Sequence, residues 1–277
     1  MSATKISTAD IQKLREMTGA GMMDCKKALE ESAGDFDSAV DYLRKKGIAK
    51  AAKREDREAK EGVVVAMTNA DNTRGIIISL NCETDFVARN EGYIAMASKI
   101  AEIAIQNFPA SREDLLNLPY ENGVSIGEKV GEQNGIIGEK IELGNYERLE
   151  GAEVVIYNHS NNKRSVILAL NHKGYDEAGR NAAMQVAAMN PVSVSKDDVD
   201  PAIVAKEIEI GKELARNEGK PEDMLEKIAM GRLNKFFQEN TLLAQKYVKS
   251  TEGQTVEQYL KSLNKDLTVT GFKHVAL

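Results

Sequence analysis

The sequence predicts an α+β protein, and three observations carry that expectation. Apolar residues recur at helical spacing through residues 1–47, and after Gly62 the pattern changes to strand-like β-branched runs. The grammar of that second stretch then returns about 90 residues later. Two antiparallel sheets with helices segregated to one side are the expected architecture.

Taken in order, Ser7 and Thr8 are N-cap candidates for a first helix with Ile11, Leu14 and Met17 on one face. The turn Thr18-Gly19-Ala20-Gly21 interrupts it, and Met22 to Ser32 resumes the helical spacing through Met22, Cys25, Ala28 and Leu29. Gly34 stops that helix, Asp35 can cap a third holding Phe36, Val40 and Leu43, and Gly47 is expected to end it. So thin a core suits a docking module, residues 1–47, on a tether. Residues 48–61 are rich in Ala and charge and predict a linker helix.

Val63 to Met67, a turn at Asn69 to Asn72, and Gly75 to Leu80 predict a hairpin whose second strand is buried on both faces. A helix follows from Tyr93 to Ile105, with Ile94, Ala97, Ile100, Ala101, Ala104 and Ile105 inward. The second unit reads Gly151 to Tyr157, a turn at Asn158 to Lys163, a strand at Arg164 to Leu170 and a helix from Glu177 to Met189. Gly62 matches Gly151 and Asn69 matches Asn158 at a spacing of 89, whereas Arg74 with Arg164 and Asn81 with Asn171 are 90 apart. An internal duplication explains this. Between the units, Arg112 to Leu118 is helical in pattern, and Gly138 to Leu143 can add a strand to either sheet. The core is thus expected as 62–145 and 146–277, the latter with a helical hairpin over about 198–240: Ile203 to Asn217, a reversal at Gly219-Lys220-Pro221, and Pro221 to Gln238. Leu242 to Tyr247 and Val256 to Leu263 continue as helix, and Val269 to Val275 predicts a last strand.

Composition excludes several function classes. The 277 residues hold 37 Lys plus Arg against 43 Asp plus Glu, a formal charge of −6, which argues against a chain built to coat phosphate backbones. The one dense basic stretch, Lys45, Lys46, Lys50, Lys53, Arg54 and Arg57, is interleaved with Ala and acids as in a solvated helix. With no Trp and 5% aromatics there is little material for stacking bases, so direct nucleic-acid binding is not expected. No apolar run reaches the roughly 20 residues a membrane helix needs, and no signal-peptide pattern opens the chain. A cytoplasmic protein without membrane contact is expected, and Cys25 and Cys82 fit free thiols there.

Catalytic patterns are missing: there is no GxxxxGK[ST], GxGxxG after a strand, GxSxG or HExxH. No enzyme, cofactor or metal is expected. His159, His172 and His274 are scattered, and Cys82 reads as a buried inert thiol before it reads as a nucleophile. Thr18 to Gly21 imitates a phosphate loop but lacks a preceding strand. The repeat itself isolates one candidate. After Leu80-Asn81 the first unit continues Cys82-Glu83-Thr84-Asp85-Phe86-Val87, where the second has His172-Lys173-Gly174-Tyr175. Physics leaves two readings open: Thr84 or Asp85 caps a helix with Phe86 folded inward, or Phe86 is an exposed anchor on a rigid turn.

At this point longer motifs enter. Leu14-Arg15-Glu16-Met17-Thr18-Gly19-Ala20-Gly21-Met22-Met23-Asp24-Cys25-Lys26-Lys27-Ala28-Leu29 resembles the N-terminal signature of the bacterial translation elongation factor Ts family. Asn81-Cys82-Glu83-Thr84-Asp85-Phe86-Val87-Ala88-Arg89-Asn90 is similar to its second signature, and Ala183 to Pro191 and Gly219 to Phe237 to later blocks. The resemblance implies a guanine-nucleotide exchange factor that binds elongation factor Tu, both GDP-bound and nucleotide-free. It implies a ubiquitin-associated-like N-terminal module, a two-part core and a protruding hairpin. Thr84, Asp85, Phe86 and Val87 would disturb the partner's magnesium site, and Arg15, Thr18, Gly19, Ala20, Gly21, Met22 and Met23 would grip another face. The hairpin would touch the same partner or mediate self-association. The rival expectations are a docking scaffold without exchange activity and a thiol enzyme using Cys82.

Overall fold

The computed structural model describes residues 6–52, 54 and 56–277. Helices α1 (Thr8–Thr18), α2 (Met22–Glu31) and α3 (Phe36–Ala52) form the N-terminal cluster. Ser7 and Asp10 build a capping box on α1, and Gly19 closes it at φ 70°, a conformation natural to glycine. Leu14, Cys25, Ala28, Leu29 and Ala39 are its buried core. Two expectations are corrected. Helix α3 does not stop at Gly47 but continues to Ala52, and beyond it Arg54 and residues 56–60 are not helical; Lys53 and Glu55 of the expected linker helix lie outside the described residues.

The core begins with strands β1 (Glu61–Thr68) and β2 (Arg74–Cys82), then α4 (Asp85–Ala88), α5 (Glu91–Asn107) and α6 (Arg112–Asn117). A small hairpin, β3 (Pro119–Glu121) with β4 (Val124–Ser125), leads into α7 (Ile126–Ile137). Strand β5 (Glu142–Glu150) completes an antiparallel sheet in the order β1-β2-β5. The second unit holds β6 (Glu153–Asn158), β7 (Arg164–Leu170), α8 (Asp176–Met189), α9 (Pro201–Asn217), α10 (Leu225–Asn240), α11 (Val256–Leu263) and β8 (Val269–Ala276), with sheet order β6-β7-β8. Residues 242–247, expected as helix, form turns and a bridge: Lys246 pairs with Thr255, Thr241 just before them pairs with Ser193, and the Leu242 N–H donates to the Ser193 carbonyl at 2.9 Å. Local pairing there replaces the helical ladder.

The strand register sharpens the repeat. Val63 lies opposite Leu80, and Glu153 opposite Leu170, so the true offset is 90 from the first strand onward. The turns agree, for the Asn72 N–H bonds to the Asn69 carbonyl and that of Asn162 to His159. The matches of Gly62 with Gly151 and Asn69 with Asn158 were therefore one residue out of register. Even the bulges coincide, falling at Ser79/Leu80 and at Ala169/Leu170.

The two sheets face each other. Val64, Ala66 and Ile77 of the first meet Val154, Ile167, Ala169 and Val275 of the second in one dry cluster. Left-handed Asn72 and Asn162, each at φ 55°, lock the halves reciprocally. The Val64 N–H donates to the Asn162 carbonyl at 2.7 Å, and the Val154 N–H to the Asn72 carbonyl at 2.6 Å. The exchange of equivalent contacts is that of a two-fold dimer interface within one chain. Helices therefore cover two opposite outer faces rather than one side: α5 packs on the first sheet through Met96, Ala97, Ile100 and Ala104, and α8 on the second through Ala182, Ala183 and Val186. Tyr93 and Met96 join the buried face of α5, while Ile94 and Ile105 flank it.

Helix α7 joins the N-terminal cluster to this core. Gly127, Gly131 and Gly135 recur every fourth residue, which reads as breakage in sequence but makes a bare stripe on a helix. Glycine 47 of α3 lies against it: a Cβ on Gly135 would sit 2.9 Å from the Gly47 Cα, and one on Gly47 3.0 Å from the Glu132 Cα. Arg44 closes the contact on Glu132 at 2.7 Å. Gly135→Ala is expected to loosen this docking although alanine is the better helix former by about 1 kcal/mol. Faster amide hydrogen exchange over residues 36–47, with unchanged protection in β2 and β7, is the expected readout; uniformly slower exchange would show that the helices adjust and that close approach is not required.

Helices α9 and α10 form an antiparallel hairpin, packed at Gly211 against Ala229 and edged by Lys212–Glu226 at 2.7 Å and Arg232–Glu218 at 2.6 Å. Among the described residues no helix is long and apolar enough to cross a membrane.

Candidate functional site

Strand β2 delivers the chain into a short turn before α5, and that turn is α4. Its backbone is closed by Ala88 N–H to Thr84 O at 3.3 Å, Arg89 N–H to Asp85 O at 3.1 Å and Asn90 N–H to Val87 O at 3.0 Å. Asn90 then caps α5 through the N–H groups of Gly92 at 2.9 Å and Tyr93 at 3.2 Å. Val87 and Ala88 turn inward onto the first core, whereas Phe86 is 85% exposed. The inward reading of Phe86 is thereby excluded. Asp85 reaches Arg89 at 2.9 Å across exposed surface, a pair worth well under about 1 kcal/mol.

The turn is held from a distance. Thr84 occupies the N-cap of α4, but its hydroxyl donates to Glu139 Oε1 at 2.7 Å. Glu139 Oε2 accepts the N–H groups of Thr84 at 3.0 Å and Glu83 at 3.1 Å. Glu83 answers by accepting the Lys140 N–H at 2.6 Å, and Arg57 stands 3.2 Å from it. The Lys140 amide first, then Arg57, holds the Glu83 carboxyl below the usual range. Arg54 donates to the Asn134 and Glu139 carbonyls. Lys46 pairs with Asp24 at 2.6 Å. Part of the basic stretch read as a solvated face is thus engaged internally; Lys53 lies outside the described residues, as does the side chain of Lys50.

The equivalent loop in the second unit has no such turn. His172 to Tyr175 runs directly into α8, and Tyr175 packs half-buried against the second core, where its hydroxyl accepts from Asn264 at 3.0 Å. One copy of the duplicated scaffold folds its aromatic in, and the other holds Phe86 out.

Cys82 has the setting of an inert thiol rather than of a nucleophile. It is buried at the end of β2, donates to the Thr84 carbonyl at 3.1 Å, and burial pushes its thiol up to about 11. Cys25 is likewise buried and raised by desolvation. The fold holds the neutral thiol, so alkylation of Cys82 in a Cys25→Ser background should stay slow below pH 9 and climb toward about pH 11. A plateau below pH 9 would mark a reactive thiolate instead. Tyr93, beside it, is also pushed up by burial and by the neighbouring thiol. Among the described residues no group of three or more His, Cys, Asp or Glu could hold a metal.

The N-terminal candidates divide. Arg15 and Gly21 are exposed, Met22 is exposed, and Met23 is 75% exposed, giving a soft apolar surface with Met17. Ala20 is buried and belongs to the cluster's own core. The Thr18 hydroxyl donates back to the Leu14 carbonyl at 2.7 Å and accepts the Ala20 N–H at 3.3 Å, so it fixes the turn. Gly19 and Phe86 line one groove of about 810 Å³, floored by Tyr93, Met96, Ile136 and Ile137. Glu139 and Glu83 went unread in the sequence. An acidic residue after a helix-ending glycine carries no mark of a partner 55 residues away.

Comparison with known proteins gives a consistent result. The family described as "Elongation factor TS" matches residues 83–277. The elongation factor Ts of Flavobacterium psychrophilum is 52% identical over 274 residues, 98% of this chain and 98% of that protein. That of Christiangramia forsetii is 51% identical over 275 residues, covering 99% of each, and that of Chlorobaculum tepidum 42% over 286 residues, covering 97% of each.

Proposed function

The chain belongs to the elongation factor Ts family, and on that premise we propose that it is a guanine-nucleotide exchange factor that binds elongation factor Tu and promotes GDP release. The observation that carries this reading is Phe86, 85% exposed on a turn closed by three backbone hydrogen bonds and tied to Glu139. A large apolar side chain held rigidly in water is pre-organised for a pocket on another protein. Thr84 and Asp85 shape the turn, Val87 roots it, and Phe86 is the wedge that disturbs the partner's magnesium and phosphate site.

The physics needs no chemistry from this chain. A GTPase holds GDP through Mg²⁺ and charge-assisted bonds from a phosphate-binding loop, so displacing the elements that position them weakens several bonds together. A thousandfold loss of nucleotide affinity corresponds to about 4 kcal/mol, within reach of an interface with an aromatic anchor. We assign residues 1–47 as a ubiquitin-associated-like docking module whose Arg15 and Met22–Met23 surface takes a second grip. The two core subdomains are assigned as 62–150 and 151–277, since a boundary at 145 would cut β5, which pairs with β2 as far as Glu150. The hairpin α9–α10 is assigned a contact with the same partner, self-association being the alternative.

The test is release of a fluorescent GDP from elongation factor Tu with this chain at substoichiometric concentration. Release of all the nucleotide at an accelerated rate is expected, because one molecule serves many partners. Binding without acceleration would support the docking-scaffold reading.

A further inference from the structure

We propose that Glu139 is the positioning residue for the wedge: from the end of α7 its carboxylate holds the Thr84 turn in the conformation that points Phe86 outward. The inference rests on the reading of Phe86 given above. A four-residue helix has too few internal bonds to fix its own start. Its N-cap residue would ordinarily satisfy the first N–H groups, but Thr84 turns its hydroxyl to Glu139 instead. Two backbone N–H groups and one hydroxyl therefore converge on a single side chain 55 and 56 residues away. Bonds to an ionised acceptor are the stronger kind, and three from adjacent groups fix direction as well as distance.

The anchor beneath is firm. Glu139 follows Gly138, which ends α7 at φ 90°. Buried Asn134 staples the chain beyond it, accepting the Ile141 N–H at 3.0 Å and donating to the Ile141 carbonyl at 2.9 Å. Glu83 grips back through the Lys140 N–H at 2.6 Å, so the two loops are cross-linked in both directions. Helix α7 also docks α3 at Gly135, four residues before Glu139. One rigid element thus sets both the N-terminal grip and the wedge.

The chain contains no Trp, so Phe86→Trp supplies a single reporter at the wedge. In that background Glu139→Ala is expected to raise the nanosecond depolarisation amplitude about twofold. Glu139→Gln should largely restore order, since an amide oxygen can accept both N–H groups and its nitrogen can donate to the Thr84 hydroxyl. In GDP release from elongation factor Tu, Glu139→Ala should slow exchange about tenfold, Glu139→Gln should stay within about twofold of the natural chain, and Glu139→Ala should add little to Phe86→Ala. Should Glu139→Ala disturb the loop widely, Thr84→Val removes one bond and is expected to give a smaller loss of the same kind. Unchanged depolarisation, or additive losses in the double variant, would overturn the proposal. Full exchange by Phe86→Ala would instead remove the wedge reading, leaving depolarisation to judge the clamp.

Discussion

Phe86→Ala is expected to slow GDP release from elongation factor Tu by roughly ten- to a hundredfold, the loss of about 1.4–2.8 kcal/mol that truncating an aromatic anchor commonly brings. The fold should not notice. Phe86 is exposed, and the bonds of its turn are made by backbone groups, Asn90 and Glu139, all of which survive the substitution. The melting temperature should therefore shift by no more than about a degree or two, as for other exposed substitutions. Stopped-flow release and a thermal melt on the same sample separate the two effects. Retained exchange with an intact melt would assign the activity to another surface.

Ile167→Ala has the opposite signature. Ile167 is fully buried at the centre of the cluster between the sheets, where it also lies 3.3 Å from where a Cβ on Gly75 would stand. Removing its outer carbons leaves a void that neither sheet can close, because the Asn72 and Asn162 locks fix their spacing. A loss of about 2–5 kcal/mol in denaturant unfolding is expected. Exchange per folded molecule should stay near that of the natural chain, since no group of the Phe86 turn is touched. A near-neutral Ile167→Ala would mean that the sheets do not share a dry core.

Much of this was legible where a residue's job is local. Apolar β-branched runs bounded by turn residues marked β1, β2, β6 and β7, and the duplication is visible in the sequence as matched residues. The exposure of Phe86 was not legible: a Phe beside a capping Thr reads equally as core until its neighbours are placed. Helix α7 was hidden for a specific reason. Gly127, Gly131 and Gly135 are poor helix formers, and the need for them shows only when Leu116 packs on Gly127 and Gly47 arrives against Gly131 and Gly135. The same Gly47 read as a stop for α3, where it is a contact. Glu139 is the extreme case, a residue whose partners lie across the fold and whose own segment gives no sign of them.

The central claim is that this chain and GDP weaken each other's hold on elongation factor Tu through Phe86. Calorimetric titration of the chain into elongation factor Tu, with and without saturating GDP and Mg²⁺, measures that coupling directly. The chain's affinity is expected to fall in GDP by the same factor by which the chain weakens GDP, as linkage requires, and Phe86→Ala should shrink that factor while still binding the nucleotide-free partner. An undiminished factor in Phe86→Ala would contradict the account.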